Sequence, residues 1–433
     1  MIGPLPLHGL ASRQDLPLPF AYVVAGSVAA LVISFLVVTV AWREPRFRAI
    51  QGWPLPTPLS PRARRAGVWA LRAVVLALYA WMGLALVAGQ DRVTNPVFGF
   101  VYVWLWIGAA PISLLFGRVW RLLNPLRTVV APLSGGLVHS DDARKRLGVW
   151  PAAAAVTAFA WLELVQPDNN TLGVLRWWVL GWLVWTLLGA ILLGPWWIAA
   201  ADPFEAVADL VARLSPWQAF DGRLHAVNPL RHLVTARRPR GTAALAGALL
   251  GATAFDSFAN TSWWIATVQT SGMSPTLLRT SGLLAMILLV AGSFAGCAQA
   301  MRPFLVRHKT RLPDRMAAAL VPIVAGYTMA HYLSTFFLEG QRTLIGVSDP
   351  LGRGWNVLGT AELAVNTAFF DYPEITALIQ LGAIVIGHLL GVVVAHERSL
   401  VLLERHRQGI GQLPMLLLMI AFTCAGLVLL FSP

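Results

Sequence analysis

The sequence predicts an all-α fold, a polytopic bundle of about ten transmembrane helices, and three observations predict it. The first is composition: 57% of the 433 residues are hydrophobic and 12% charged, with 19 Trp and a mean hydropathy of +0.65, far from a soluble average. The second is the recurrence, from end to end, of apolar runs of roughly 18 to 25 residues, each long enough to cross a hydrocarbon core of about 30 Å as a helix. A lipid-facing backbone has to satisfy its own hydrogen bonds, so such runs read as helices, and the alternating pattern of a barrel is absent. The third is the uneven distribution of the arginines.

In chain order the expected spans are 19–42, 67–89, 97–117, 148–166, 173–200, 242–260, 276–299, 316–338, 374–395 and 411–431. No basic segment precedes the first, which therefore reads as a retained helix with its start outside, not as a cleaved signal peptide. The connecting segments 43–66, 118–147, 201–241, 300–315 and 396–410 carry 26 of the 33 basic residues, while the alternate ones hold only Arg13, Arg92, Arg342 and Arg353. By the positive-inside rule the crowded segments are cytoplasmic and both termini lie outside. The formal charge of +13 is spread over every inner segment, as topology and anionic headgroups require. No basic patch is interleaved with aromatic residues, so the expected partner is the lipid bilayer and no nucleic acid. Cys297 and Cys424 form no CxxC pattern, which gives no metal or redox motif.

No soluble-domain boundary interrupts the chain, so 1–433 reads as a single integral membrane domain. Within it, 201–241 is expected to be a cytoplasmic loop in which "DPFEAVADLVARLSP" sets Phe204, Val207, Leu210 and Val211 at helical spacing, suiting an amphipathic helix at the interface. The outer segment 339–373 is too short to bury a core and is expected to fold as a lid. "RLLNPLRTV" at 121–129 and "HAVNPLRHL" at 225–233 share Asn-Pro-Leu-Arg. Asn before Pro favours a turn, and the Pro opens a short helix whose Arg meets headgroups or inner-loop carboxylates.

Ionisable side chains inside spans cost several kcal/mol on translocon scales unless they face a cavity or a partner, which makes them functional candidates. They are few. Asp256, in "TAFDSFANTSWW", lies within about two turns of the outer end of span six. His331, in "GYTMAHYLSTFF", lies at a similar depth in span eight, His388 near the middle of span nine, and Glu339 caps span eight on the outside. Tyr327 and His331 are four apart, as are Asp256 and Asn260, so each pair shares a helix face. If spans six, eight and nine are neighbours, Asp256, His331 and His388 converge on one polar site. Carboxylate and imidazole ligands there suit zinc or another first-row divalent metal. Each residue also has a plainer reading as an interhelical hydrogen-bonding group or, for Glu339, an exposed helix end. HExxH, GxSxG and Walker A signatures are absent, and no GxGxxG stands in a strand–helix context.

The segments "GYTMAHYLSTFFLEGQ", "SDPLGRGWNVLGTA", "GAIVIGHLLGVVVAHERS" and "LPMLLLMIAFTCAGLVLL", with "GAAPISLLFGRVWRLLNPLRT" and "TAFDSF", resemble a family of bacterial polytopic membrane proteins, many of them actinobacterial, labelled fenitrothion hydrolase. The similarity covers most of the chain after about residue 95 and is most specific around His331 and from His388 to Glu397. The resemblance implies a bacterial cytoplasmic membrane protein that hydrolyses an organophosphorus triester; it carries no catalytic motif with it. On that reading a divalent metal held by Asp256, His331 and His388 activates water on an apolar ester, with Glu339 as base or supporting group. Two other classes fit the same sequence: a transporter with an outward cavity, and a metal- or haem-handling subunit of a respiratory or copper-related assembly.

Overall fold

The structure, a computed structural model, describes residues 15–47, 52–56, 60–131, 141–220, 223–236, 238–307 and 311–431; Arg13 lies outside them. The fold is all-α. In chain order the helices that matter here are α1 (Phe20–Ala41), α2 (Pro61–Ala88), α3 (Ala109–Phe116), α4 (Pro125–Val130), α5 (Trp150–Leu164), α6 (Leu172–Leu193), α7 (Pro203–Val211), α8 (Pro229–Thr235), α9 (Thr242–Ala259), α10 (Pro275–Ala300), α11 (Leu320–Gly346), α12 (Pro373–Leu402) and α13 (Leu413–Phe431). Among the described residues eight helices are long and apolar enough to cross a bilayer, and a ninth crossing is available if Pro96–Ile107 and α3, bent by 45° at Gly108, count as one. The protein is thus a helical multi-pass membrane protein. The count is lower than the ten expected runs because α5 has only 15 residues, short of the roughly 20 a crossing needs. At the bend, residues Phe100–Ile107 wind as a π-helix, which leaves Gly108 N bonding Val103 O at 2.7 Å, a recognised cause of kinking.

The chain divides into two compact units. Unit 1 comprises 1–51, 228–334 and 368–433, and unit 2 comprises 52–227 and 335–367; α11 contributes its residues through Ser334 to the first and the rest to the second.

Unit 1 is built on α9. Its sequence "TAALAGALLGATAFDSFA" combines strong helix formers with small residues, and nearly every side chain in it is buried. A Cβ on Gly247 would meet Ala291 at 2.7 Å, and one on Gly251 would meet Ile287 at 2.6 Å. The glycines therefore let the backbones of α9 and α10 approach closely, the usual device where lipid supplies no hydrophobic drive between helices. The same logic joins α11 to α12, where Gly326 lies against Ala383 O and Gly387 against Pro322 O. These contacts bring the functional stretch of α11 into the centre of the unit.

Unit 2 holds α2 to α7 and a small antiparallel sheet in the order β1 (Gly52–Pro54), β3 (Arg223–Val227), β2 (Trp217–Phe220). Four helix starts use one device, Asn or Asp followed by Pro. Asn95 Oδ1 accepts from Val97 N at 3.0 Å, Asn124 Oδ1 from Leu126 N at 3.0 Å and Asp202 Oδ1 from Phe204 N at 3.3 Å; in unit 1 Asn228 Oδ1 accepts from Arg231 N at 3.2 Å. The side chain satisfies a first-turn N–H, and Pro at N1 gives up a donor that had no partner there. The expected interfacial helix forms as α7, but every residue in it except Asp209 is buried. It is packed inside unit 2, not half-immersed, because Glu205 on its polar side meets Arg127.

The segment 339–373 is fastened locally. Ser348 Oγ accepts from Leu358 N at 2.9 Å, Asp349 accepts from Arg353 N at 2.9 Å and Gly354 N at 2.6 Å, and Trp81 Nε1 donates to Val347 O at 2.8 Å. Positive φ at Gly352, Gly354 and Gly359 lets the chain turn sharply three times.

Candidate functional site

The polar centre of unit 1 grows out of two facing helices. On α9, Asp256 and Ser257 sit one turn below Asn260, whose Nδ2 takes up the Asp256 carbonyl at 2.9 Å. On α11, Tyr327 and His331 are one turn apart, their rings stacked with centroids 6.1 Å apart and planes at 11°, and Tyr332 packs edge-on to the imidazole at 4.6 Å. The aromatic packing fixes the His331 ring. Asp256 Oδ2 lies 2.8 Å from His331 Nε2, Ser257 Oγ lies 3.1 Å from His331 Nδ1, and Tyr327 Oη lies 3.0 Å from Ser257 Oγ. All four side chains are buried: Asp256 is 3% exposed, Ser257 7%, Tyr327 3% and His331 2%.

Their donor and acceptor roles follow from one another. A carboxylate at Nε2 can only accept, so in the neutral imidazole Nε2 carries the proton and Nδ1 offers a lone pair. Ser257 O–H then donates to Nδ1, and Tyr327 O–H donates to Ser257 Oγ. The three bonds run in one direction, Tyr327 to Ser257 to His331 to Asp256. This is the arrangement of a hydroxyl nucleophile, a base and a carboxylate that orients the base, with the two imidazole nitrogens exchanged relative to the common order. Either nitrogen serves, provided the other is held by the acid.

Of the residues expected from the sequence, Asp256 and His331 are therefore in direct contact. His388 on α12 is 1% exposed and its Nδ1 bonds Ile384 O of its own helix at 2.9 Å, leaving Nε2 without a hydrogen-bond partner among the described residues. Glu339 belongs to unit 2, where it pairs with Arg342 one turn along α11. Among the described residues no group of three or more His, Cys, Asp or Glu side chains is placed to hold a metal ion. Asp256 and His331 supply two strong ligands, one fewer than protein zinc sites use, so no step is assigned to a metal. Ser257 and Tyr327 are the residues that residue-type reasoning did not single out as chemistry: hydroxyls are common, inexpensive interhelical donors. The available signal was adjacency, since Ser257 follows Asp256 and Tyr327 precedes His331 by one turn.

Unit 2 has its own polar centre, of different character. Glu205 takes a bidentate grip from Arg127, with Arg127 Nε to Oε2 at 2.7 Å, and a weaker approach from Arg121 Nε at 3.7 Å. Arg121 also forks onto Asp209, with Nε 3.1 Å from both oxygens. Asn124 Nδ2 bridges Asp202 Oδ2 at 2.8 Å and Glu205 Oε2 at 2.9 Å. Trp182 Nε1 donates to Asp202 Oδ1 at 3.1 Å.

Fold and site together define a multi-pass helical membrane protein with a buried Ser–His–Asp chain in one unit and, in the other, two buried carboxylates, Asp202 and Glu205, the second of them held by part-exposed arginines. No protein-family model, curated protein or solved structure matches the chain.

Proposed function

We propose that this protein is a membrane-embedded ester hydrolase of the bacterial cytoplasmic membrane, with Ser257 as nucleophile, His331 as base and Asp256 as the carboxylate that orients it. The observation that carries the reading is the bonding of one imidazole to Ser257 through Nδ1 and to Asp256 through Nε2. The resemblance to the fenitrothion hydrolase family supports an organophosphorus triester as the substrate class, and an apolar ester of that kind partitions into the surrounding lipid. Asn260, the exposed end of α9, is one turn from Ser257, so the nucleophile lies close below the unit's surface.

The chemistry balances without a further reactant besides water. Ser257 Oγ attacks phosphorus as its proton passes to His331 Nδ1; the Oγ–P bond forms, the P–O bond to the aryl group breaks, and aryloxide leaves with the proton from His331. Water then attacks the phosphorus as its proton passes to His331 Nδ1, the P–Oγ bond breaks, and His331 returns that proton to Ser257 Oγ, releasing a dialkyl phosphate. Asp256 stabilises the imidazolium in both steps. Tyr327 O–H, within reach of Ser257 Oγ, is the donor available to charge developing on the phosphoryl oxygen.

The test is release of nitrophenolate from a dialkyl p-nitrophenyl phosphate by purified protein. Ser257→Ala and Asp256→Asn should each lower kcat/KM by at least about a thousandfold, and the double variant by hardly more, because members of one catalytic unit are non-additive. Full activity in Ser257→Ala would remove the nucleophile. The one-way hydrogen-bond chain from Tyr327 to Asp256 also suits a proton relay in a transporter; proton uptake by vesicles with no product released would favour that reading.

A further inference from the structure

Among the described residues, Asp202 is the carboxylate of the unit 2 cluster that no cation bonds. It is 1% exposed, and its hydrogen-bond partners among the described residues are three neutral donors: Trp182 Nε1 from α6, Asn124 Nδ2 from the start of α4, and Phe204 N at the start of α7. The charged groups around it are spent on its neighbours. Arg127 and Arg121 grip Glu205, and Arg121 grips Asp209. The buried Arg213 faces Asp209 and is held down to about 10 by burial first, then by Arg118 and Arg121. Glu205, three residues along α7, brings a like charge, and Tyr79 of α2 presents the remaining titratable group that feels the Asp202 charge. A buried carboxylate beside a second carboxylate, with neutral partners only, is stabilised by taking up a proton.

We propose that Asp202 is a proton-binding site of unit 2, taking up and releasing a proton between its three neutral donors. Burial, and after it the Glu205 carboxylate, push its carboxyl up to about 7, against the three hydrogen bonds that favour the ionised form. The proton has a structural consequence: ionised Asp202 caps α7 through Phe204 N and anchors Trp182, and protonation weakens both bonds. The start of α7, which also presents Glu205 to Arg127, thereby responds to pH. The inference is independent of the hydrolase reading, since it concerns other residues in the other unit.

The full-length protein in lipid is compared between about pH 5 and about pH 9 by infrared difference spectroscopy, a window that brackets the titration. A carboxylic-acid C=O band should grow as pH falls, with its midpoint near 7. It should be lost in Asp202→Asn and kept in Asp256→Asn. Trp182→Phe removes a donor to the ionised form and retains the carboxyl, so the midpoint should rise; this variant decides the matter even if Asp202→Asn fails to fold. Stability gives a second reading. Because the folded protein holds the proton more tightly than the unfolded chain, whose value is 3.8, stability should fall as pH rises from about 4 to about 7 and level off above. Asp202→Asn should flatten that window. A band unchanged in Asp202→Asn, no titrating band in wild type, or a midpoint unmoved or lowered in Trp182→Phe would overturn the proposal.

Discussion

Both units bury polar side chains and use them differently. In unit 1, Asp256 faces an imidazole whose other nitrogen leads on to two hydroxyls, groups that can pass a proton among themselves without breaking the helices that hold them. In unit 2, Glu205 faces a guanidinium in a two-point grip and Asn124 ties two carboxylates to a helix start. A guanidinium does not give up its proton in proteins, so the second cluster fixes geometry where the first can perform chemistry. The composition of a buried polar cluster, more than its depth, separates a reactive site from a structural one.

Breaking each cluster should therefore fail in a different way. The largest structural loss is expected in unit 2: Glu205→Gln takes the buried carboxylate away from Arg127, which costs about 3 kcal/mol, the low end for a buried pair because Arg127 is 22% exposed. Folded yield and thermal midpoint should drop sharply, whereas Asp256→Asn should preserve both and abolish turnover. If Glu205→Gln folds as well as wild type, the arginine cluster does not hold unit 2 together.

A smaller effect sharpens the contrast between the two Asn-Pro-Leu-Arg copies. Asn228→Ala loses a helix cap and should cost about 1 kcal/mol. Asn124→Ala loses the same cap and also deprives Asp202 and Glu205 of a shared donor, adding about 1–3 kcal/mol. Thermal unfolding of the two variants side by side checks this, and equal losses would mean the Asn124 bridge contributes nothing.

These differences mark where sequence reading succeeds and stops. Asp256 and His331 stand out because a titratable group in an apolar run is costly and has to be answered by a partner. The helix–Pro starts at Asn124 and Asn228 are equally legible, as local chemistry acts within three or four residues. What is not local is lost. His388 has the same residue type and burial as His331, yet its Nδ1 is satisfied by Ile384 O of its own helix, and nothing in its spacing distinguishes the two. The apolar positions of α7 suggest one buried face; the burial of Glu205 on the other depends on Arg127, 78 residues earlier. The strands β1, β2 and β3 are three to five residues long, too short to stand out by hydropathy, and the pairing of β1 with β3 joins segments more than 160 residues apart.

If His331 and Asp256 activate Ser257 as proposed, the serine can be trapped. The protein is incubated with a dialkyl p-nitrophenyl phosphate, digested, and mapped by peptide mass spectrometry for a dialkylphosphoryl adduct. The account predicts modification at Ser257 in the wild-type protein, its loss in Ser257→Ala, and strong slowing in His331→Gln, where the base is gone and the serine remains. Hydrolysis that proceeds with no adduct at Ser257 under rapid quenching, or an adduct that forms equally fast in His331→Gln, would contradict it.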